Sequence, residues 1–257
     1  TPDEPRVPPE INLDVAKLKL AAGPVRSDIV GRKNGLYREH CAHCHGVTGD
    51  GMGPTAAFLN PYPRDYRPGV FKFKSTERAD KPTHPDLVMV LRNGLAGSSM
   101  PSFALLSDAK IDALAEYVKY LSIRGEVELS LMRAYFELDD EDEGVLPQSR
   151  EFLFEEIIDP VTEMWAAADD AIIDVPDMPA DLDMVASIAK GKELFYGNKA
   201  NCVKCHGVSG LGDGQANDYD DWNKVVLQAQ KTVDGGVKQA EKTSTWDMSA
   251  EERDEHR

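Results

Sequence analysis

Leu36-Tyr37-Arg38-Glu39-His40-Cys41-Ala42-His43-Cys44-His45-Gly46-Val47 is the stretch on which the reading turns, together with a later counterpart, Cys202-Val203-Lys204-Cys205-His206-Gly207-Val208. Each holds a Cys-x-x-Cys pair with a histidine directly after it, and the two pairs use all 4 cysteines of the chain. Two thiols a helical turn apart, with an imidazole beside them facing the same side, are what covalent attachment of a haem through its vinyl groups requires. On that reading Cys41 and Cys44 are thioether anchors and His45 is the proximal iron ligand. Cys202, Cys205 and His206 repeat the set, so the chain carries two covalently bound haem c groups. Disulfides, a zinc site or a thioredoxin-like dithiol are the competing readings. The histidine after each pair weighs against them.

The chain has 257 residues, enough for one large domain or two small ones. The sequence is 41% hydrophobic, with no apolar run of the length needed to cross a bilayer, so direct membrane insertion is not expected. No signal peptide is visible, and Thr1-Pro2-Asp3-Glu4-Pro5 reads as a processed start. The net charge of −16 is concentrated: Glu126 to Ala186 holds 19 acidic residues against Arg133 and Arg150 alone. Nucleic acid is therefore excluded as a partner class. The acidic stretch reads either as a solvated surface or as a docking face for a basic partner.

Residues 1–26 are Pro-rich and lack an apolar period, which predicts an extended segment. Ser27 is the expected cap of a helix running into Cys41, and Gly46 to Ser75 should be mostly loop. A helix is predicted from Pro85 to Leu95, with Asn93-Gly94 as its stop. Another, capped by Ser107, should carry Ile111, Leu114, Ala115, Val118 and Leu121 on one face and end near Gly125. The acidic stretch should be helical over Val127–Leu138 and Glu151–Ala171, broken at Gly144, Pro147 and Pro160. A last helix from about Leu182 to Tyr196 leads to Cys202. The pairing of Leu36-Tyr37 with Leu194-Phe195, and of Gly49-Asp50-Gly51 with Gly212-Asp213-Gly214, makes this a partial internal repeat.

Residues 27–123 resemble a class I cytochrome c domain, through the helix into Cys41, the Gly-rich loop, Gly97-Ser98-Ser99-Met100-Pro101 and a final helix with Tyr117. The resemblance implies an all-α fold. Two cytochrome c-like helical domains, 27–125 and 182–257, would be joined by an acidic, partly helical connector, 126–181. It implies Met100 as distal iron ligand of the first haem and the Pro54 carbonyl as acceptor for His45. It also suggests that an arginine or tyrosine of Asn60–Pro68 binds a haem propionate. Arg67 is the first choice there, because a guanidinium can bond a carboxylate twice. His40, His43 and His84 read as surface or capping residues, and Trp165, Trp222 and Trp246 as packing residues.

The second half departs from the pattern. Only 51 residues follow His206, without a Gly-x-x-Met-Pro loop, and Met248 is the only later methionine. The second domain is expected to be incomplete, with Met248 a weak candidate for distal ligand. The leading functional expectation is electron transfer between redox partner proteins, as a carrier or as a subunit of a membrane-bound respiratory complex. The alternative is a dihaem enzyme such as a cytochrome c peroxidase, which needs one iron with an open position and a nearby acid–base group. Thioether attachment, as the resemblance implies, places the chain in the periplasm or another exported space.

Overall fold

The computed structural model describes residues 2–23, 35–59, 61–138, 146–147 and 149–210. Ser27, Gly144, Met248 and the last two tryptophans of the chain lie outside them. Among the described residues the protein is helical, without a strand; its only β pairing is an isolated antiparallel bridge between Thr76 and Ile172.

The core forms around one long helix. Ile111, Leu114, Ala115, Val118, Leu121 and Ser122 recur at helical spacing and are all buried on one face of the helix Asp108–Phe136 (α5). Burying each of the large ones is worth about 1.5–3 kcal/mol. Four short helices precede it: Val15–Ala21 (α1), Leu36–His40 (α2), Ala42–His45 (α3) and His84–Asn93 (α4). Helices α1, α2 and α4 all pack on α5. Helix α4 is fixed at its start by a capping box, in which Thr83 and Asp86 satisfy one another's backbone N–H groups. It stops at Gly94, as the sequence predicts.

Three departures from the sequence reading have physical causes. The N-terminal segment is not simply extended. Asp14 accepts from the N–H groups of Ala16 and Lys17, starting α1, and Leu18 and Ala21 are wholly buried. The same segment is clamped by a bidentate Arg38–Asp3 pair at 2.7 Å and a Lys17–Asp112 pair at 2.7 Å. A stripe of two buried residues is too short to register as a period.

Helix α5 does not end at Gly125 but runs on to Phe136, and Ser107 heads it without a side-chain cap bond. Gly125 serves a close approach instead: a Cβ there would lie 2.5 Å from Arg67 Cα and 2.6 Å from the Arg67 carbonyl oxygen. The loop carrying Arg67 crosses the helix at that point.

The acidic connector is packed rather than free-standing. A π-helical segment, Phe152–Ile158, leads into helix Asp159–Ala166 (α6) and a 3-10 segment, Ala167–Ala171. The helical run is not broken at Pro160: Ile158 and Asp159 stay helical, and the widened turn before the proline makes room for its ring. Ile157, Val161, Trp165 and Ala168 are buried on one stripe, while the surrounding carboxylates face solvent. The connector is then pinned to the loop before α4, where Glu77 N–H donates to the Ala171 carbonyl (3.1 Å) and Ile173 N–H to the Ser75 carbonyl (2.9 Å). Beyond it, Asp183 caps helix Met184–Tyr196 (α7), which has no buried residue, and Val203–His206 forms α8.

Candidate haem sites

The first motif is one tight helical turn. Cys41 joins α2 to α3, and its carbonyl accepts from His45 N–H at 2.9 Å and from Cys44 N–H at 3.1 Å. Gly46, at φ +73°, ends the turn; a Cβ there would overlap Asp50 Oδ1. The turn is strapped by the following loop. Gly51 N–H donates to the His45 carbonyl (2.9 Å), Gly53 N–H to that of Cys44 (3.1 Å) and Thr55 N–H to that of His43 (3.0 Å). Neither Cys41 nor Cys44 is in a disulfide. Cys41 is buried, and burial, with Cys44 nearby, pushes its thiol up to about 12.

His45 is held on two sides. Its Nδ1 lies 3.0 Å from the Arg64 carbonyl oxygen; a carbonyl only accepts, so Nδ1 carries the proton and the Nε2 lone pair is left for a metal. Its ring stacks on Tyr66, with centroids 4.6 Å apart and planes at 21°. Burial lowers the imidazole to about 4, against the opposing hydrogen bond to Arg64. The neutral, ligating form is thus the resting form in this pocket.

These contacts revise the expected acceptor for His45 and give the Arg67 side chain a partner within its own loop. The acceptor for His45 is the Arg64 carbonyl, not that of Pro54. The strap carrying Pro54 lies along the His43 and Cys44 carbonyls, and Pro54 itself is exposed. The Arg67 fork is engaged by Asp65, with Nε at 3.0 Å and Nη2 at 2.9 Å from its two carboxylate oxygens. Burial raises the Asp65 carboxyl, and the Arg67 guanidinium partly offsets this. Met100 is half-buried against the same core that holds Cys41. Its loop is shaped by Gly94, at φ +67°, where a Cβ would lie 2.7 Å from the Met100 carbonyl oxygen. His84 does not cap α4, a role Thr83 takes, but bonds Asp112 of α5. Tyr66 and the Arg64 carbonyl escaped residue-by-residue reading, since a backbone acceptor leaves no side-chain signature.

The second motif reproduces the backbone of the first. His206 N–H donates to the Cys202 carbonyl at 2.9 Å, and Gly207 N–H to that of Val203 at 2.8 Å. Gly207 takes φ 74°, ψ 166°, against φ 73°, ψ 163° at Gly46. In the first copy Tyr37 donates to the Gly46 carbonyl at 2.8 Å; in the second, Tyr196 donates to that of Val208 at 2.8 Å. The surroundings differ: His45 is 7% exposed, whereas His206 is exposed and Cys202 half-buried. Residues 211–257, which would complete that pocket, lie outside the described ones.

Free thiols and an imidazole with its Nδ1 already engaged, all within one glycine-terminated turn, fit a covalently attached haem. On a helical fold this donor set defines a c-type cytochrome. Residues 31–118 match the family model described as cytochrome c oxidase, cbb3-type, subunit III, and residues 188–254 match that of cytochrome c. The chain is a dihaem class I c-type cytochrome, with one haem c attached in each of its two domains. No curated protein matches it. Among solved structures it is similar to a chain of the reducing HAO-like protein complex of Kuenenia stuttgartiensis. That match has 25% identity and a TM-score of 0.42, over 70% of this chain and 62% of that one. The chain thus spans less than two thirds of the length of that relative.

Proposed function

We propose that the chain passes single electrons between redox partner proteins, through two haem sites held on one tether, as a carrier or as a subunit of a respiratory complex. The observation that carries this reading is the duplicated motif turn combined with the pinned connector. The connector is hydrogen-bonded to the first domain as far as Ile173, and α7 begins at its cap, Asp183. Only the Pro-containing stretch 174–183 is left to span the gap, a reach of at most about 35 Å when fully extended. Two electron sites so tethered exchange electrons intramolecularly.

When bound, each haem supplies a one-electron iron couple. The chain's own part at the first site is to fix the His45 imidazole through Arg64 and Tyr66; His45 and Met100 would hold the iron. A His/Met pair would give the iron a higher potential than two histidines and would suit electron transfer rather than substrate binding. Arg67 remains the candidate for contact with a haem propionate. The exposed carboxylates of the connector favour a basic partner surface. Covalent haem attachment supports a periplasmic or other exported location. No described helix is long and apolar enough to cross a membrane.

Spectropotentiometry with ligand challenge tests this reading. Two one-electron waves, low-spin spectra and inertness to carbon monoxide are expected, with prompt re-oxidation by a ferric mono-haem cytochrome c. A haem that binds carbon monoxide together with peroxide turnover would overturn it in favour of a peroxidase.

A further inference from the structure

The first motif's histidine is the end of a continuous run of aromatic rings that starts in the connector. Tyr66 stacks on His45; Phe71 lies parallel to Tyr66 at 6.0 Å and 12°; Trp165 meets Phe71 edge-on at 6.1 Å and 80°. Both ends of the run are fixed. Tyr66 N–H donates to the Gly49 carbonyl at 2.7 Å. A Cβ on Gly49 would come within 2.9 Å of the Tyr66 ring and 3.3 Å of Leu121, so the ring is wedged between that loop and α5. Trp165 is buried, its indole N–H donates to Glu126 at 2.8 Å, and Lys81 lies over its ring at 5.8 Å. Lys81 in turn bonds Glu126 and the Gly69 carbonyl, tying the loop between Tyr66 and Phe71 to the same anchor.

We propose that Tyr66, backed through Phe71 by Trp165 of the connector, positions the His45 imidazole and thereby sets the reduction potential of the first haem. This rests on His45 as the iron ligand and goes beyond that assignment. An imidazole bound to oxidised iron is more positive than one bound to reduced iron. The electron-rich face of Tyr66 therefore favours the oxidised state, as a ring face favours any cation. Loss of the ring face shifts the couple toward the reduced form. The connector then has a second role beside tethering: it supports the proximal side of the haem whose domain it covers.

The test is made on the full dihaem chain, with the second haem as internal reference, by spectropotentiometry and electron paramagnetic resonance of the oxidised protein. Tyr66→Phe keeps the ring face and should leave the first haem's potential and g-values unchanged. Tyr66→Leu should shift the oxidised-to-reduced ratio at fixed potential about threefold toward reduced, a rise of about 28 mV for a one-electron couple. Trp165→Leu should move it in the same direction by less. The double variant should move it no further than Tyr66→Leu alone, because both act on one path. Should Tyr66→Leu fail to fold, Phe71→Leu interrupts the same run and carries the same expectation.

A histidine-ligated first haem whose potential and g-values are unmoved in both Leu variants at positions 66 and 71 overturns the proposal while leaving the ligand assignment standing. A Trp165→Leu shift that adds fully to that of Tyr66→Leu overturns the link to the connector. Absence of haem at Cys41 and Cys44 in the unaltered chain would instead refute the assignment on which the proposal rests.

Discussion

The indole N–H of Trp165 donates to Oε1 of Glu126 at 2.8 Å, while the other oxygen of that carboxylate pairs with Lys81. Glu126 is the first residue of the acidic stretch, yet it is buried and is raised by that burial, with Lys81 acting in the opposite direction. Its place is inside, as the joint between α5, the connector and the loop before α4.

Glu126→Gln keeps an acceptor for the indole but leaves the Lys81 ammonium buried without its counter-charge. Breaking a buried pair from one side costs about 3–5 kcal/mol. Denaturant unfolding of the first domain should show a loss of that order, and Glu128→Gln, outside this joint on an i,i+4 surface pair with Arg124, should cost under about 1 kcal/mol.

Gly125→Ala should destabilise, although a glycine in the interior of a helix ordinarily gains about 1 kcal/mol on replacement by alanine. The added methyl meets the Arg67 backbone at 2.5 Å, and a backbone cannot rotate aside as a side chain can. A thermal melt of the two proteins decides the sign; a higher melting temperature for Gly125→Ala would mean that the loop does not cross α5 there.

Asp86 gives a pH dependence. Burial works against its charge, but hydrogen bonds from the backbone and hydroxyl groups of Ser75 and Thr83 outweigh it and hold the carboxyl below its ordinary value. A carboxyl depressed in the folded state stabilises above its unfolded pKa, about 3.9, and loses that contribution as pH falls through the lower folded value. Asp86→Asn should therefore cost about 1–2 kcal/mol at neutral pH, by analogy with lost caps, and its deficit should narrow as the pH is taken well below 4. The measurement is denaturant unfolding of both proteins at pH 7 and pH 3; a deficit independent of pH would exclude the charge as its source.

Much of the architecture is legible in the sequence because it is written in local patterns. The motif turns, the Asn93-Gly94 stop and the apolar face of α5 each depend on residues within a few positions of one another. What the sequence conceals depends on distant contacts. Gly125 reads as a terminator until the Arg67 loop is seen crossing it. Trp165 reads as a packing residue and is one, but Val161 and Ile157, which complete its stripe, are hidden among carboxylates, so the acidic stretch reads as a solvated or docking surface. The Pro54 expectation gives way to Arg64 because a carbonyl's direction is set by the course of its loop, which no side chain announces. At the second motif the reverse holds: the turn is repeated faithfully, while the residues that would close the pocket lie beyond those described.

The central claim is that both Cys-x-x-Cys-His turns hold a haem, and intact mass of the purified chain tests it most directly. The mass should exceed that of the polypeptide by two haem groups, falling by one in Cys41→Ser/Cys44→Ser and by one in Cys202→Ser/Cys205→Ser. A chain carrying a single haem, with either pair of substitutions leaving the mass excess unchanged, would contradict it.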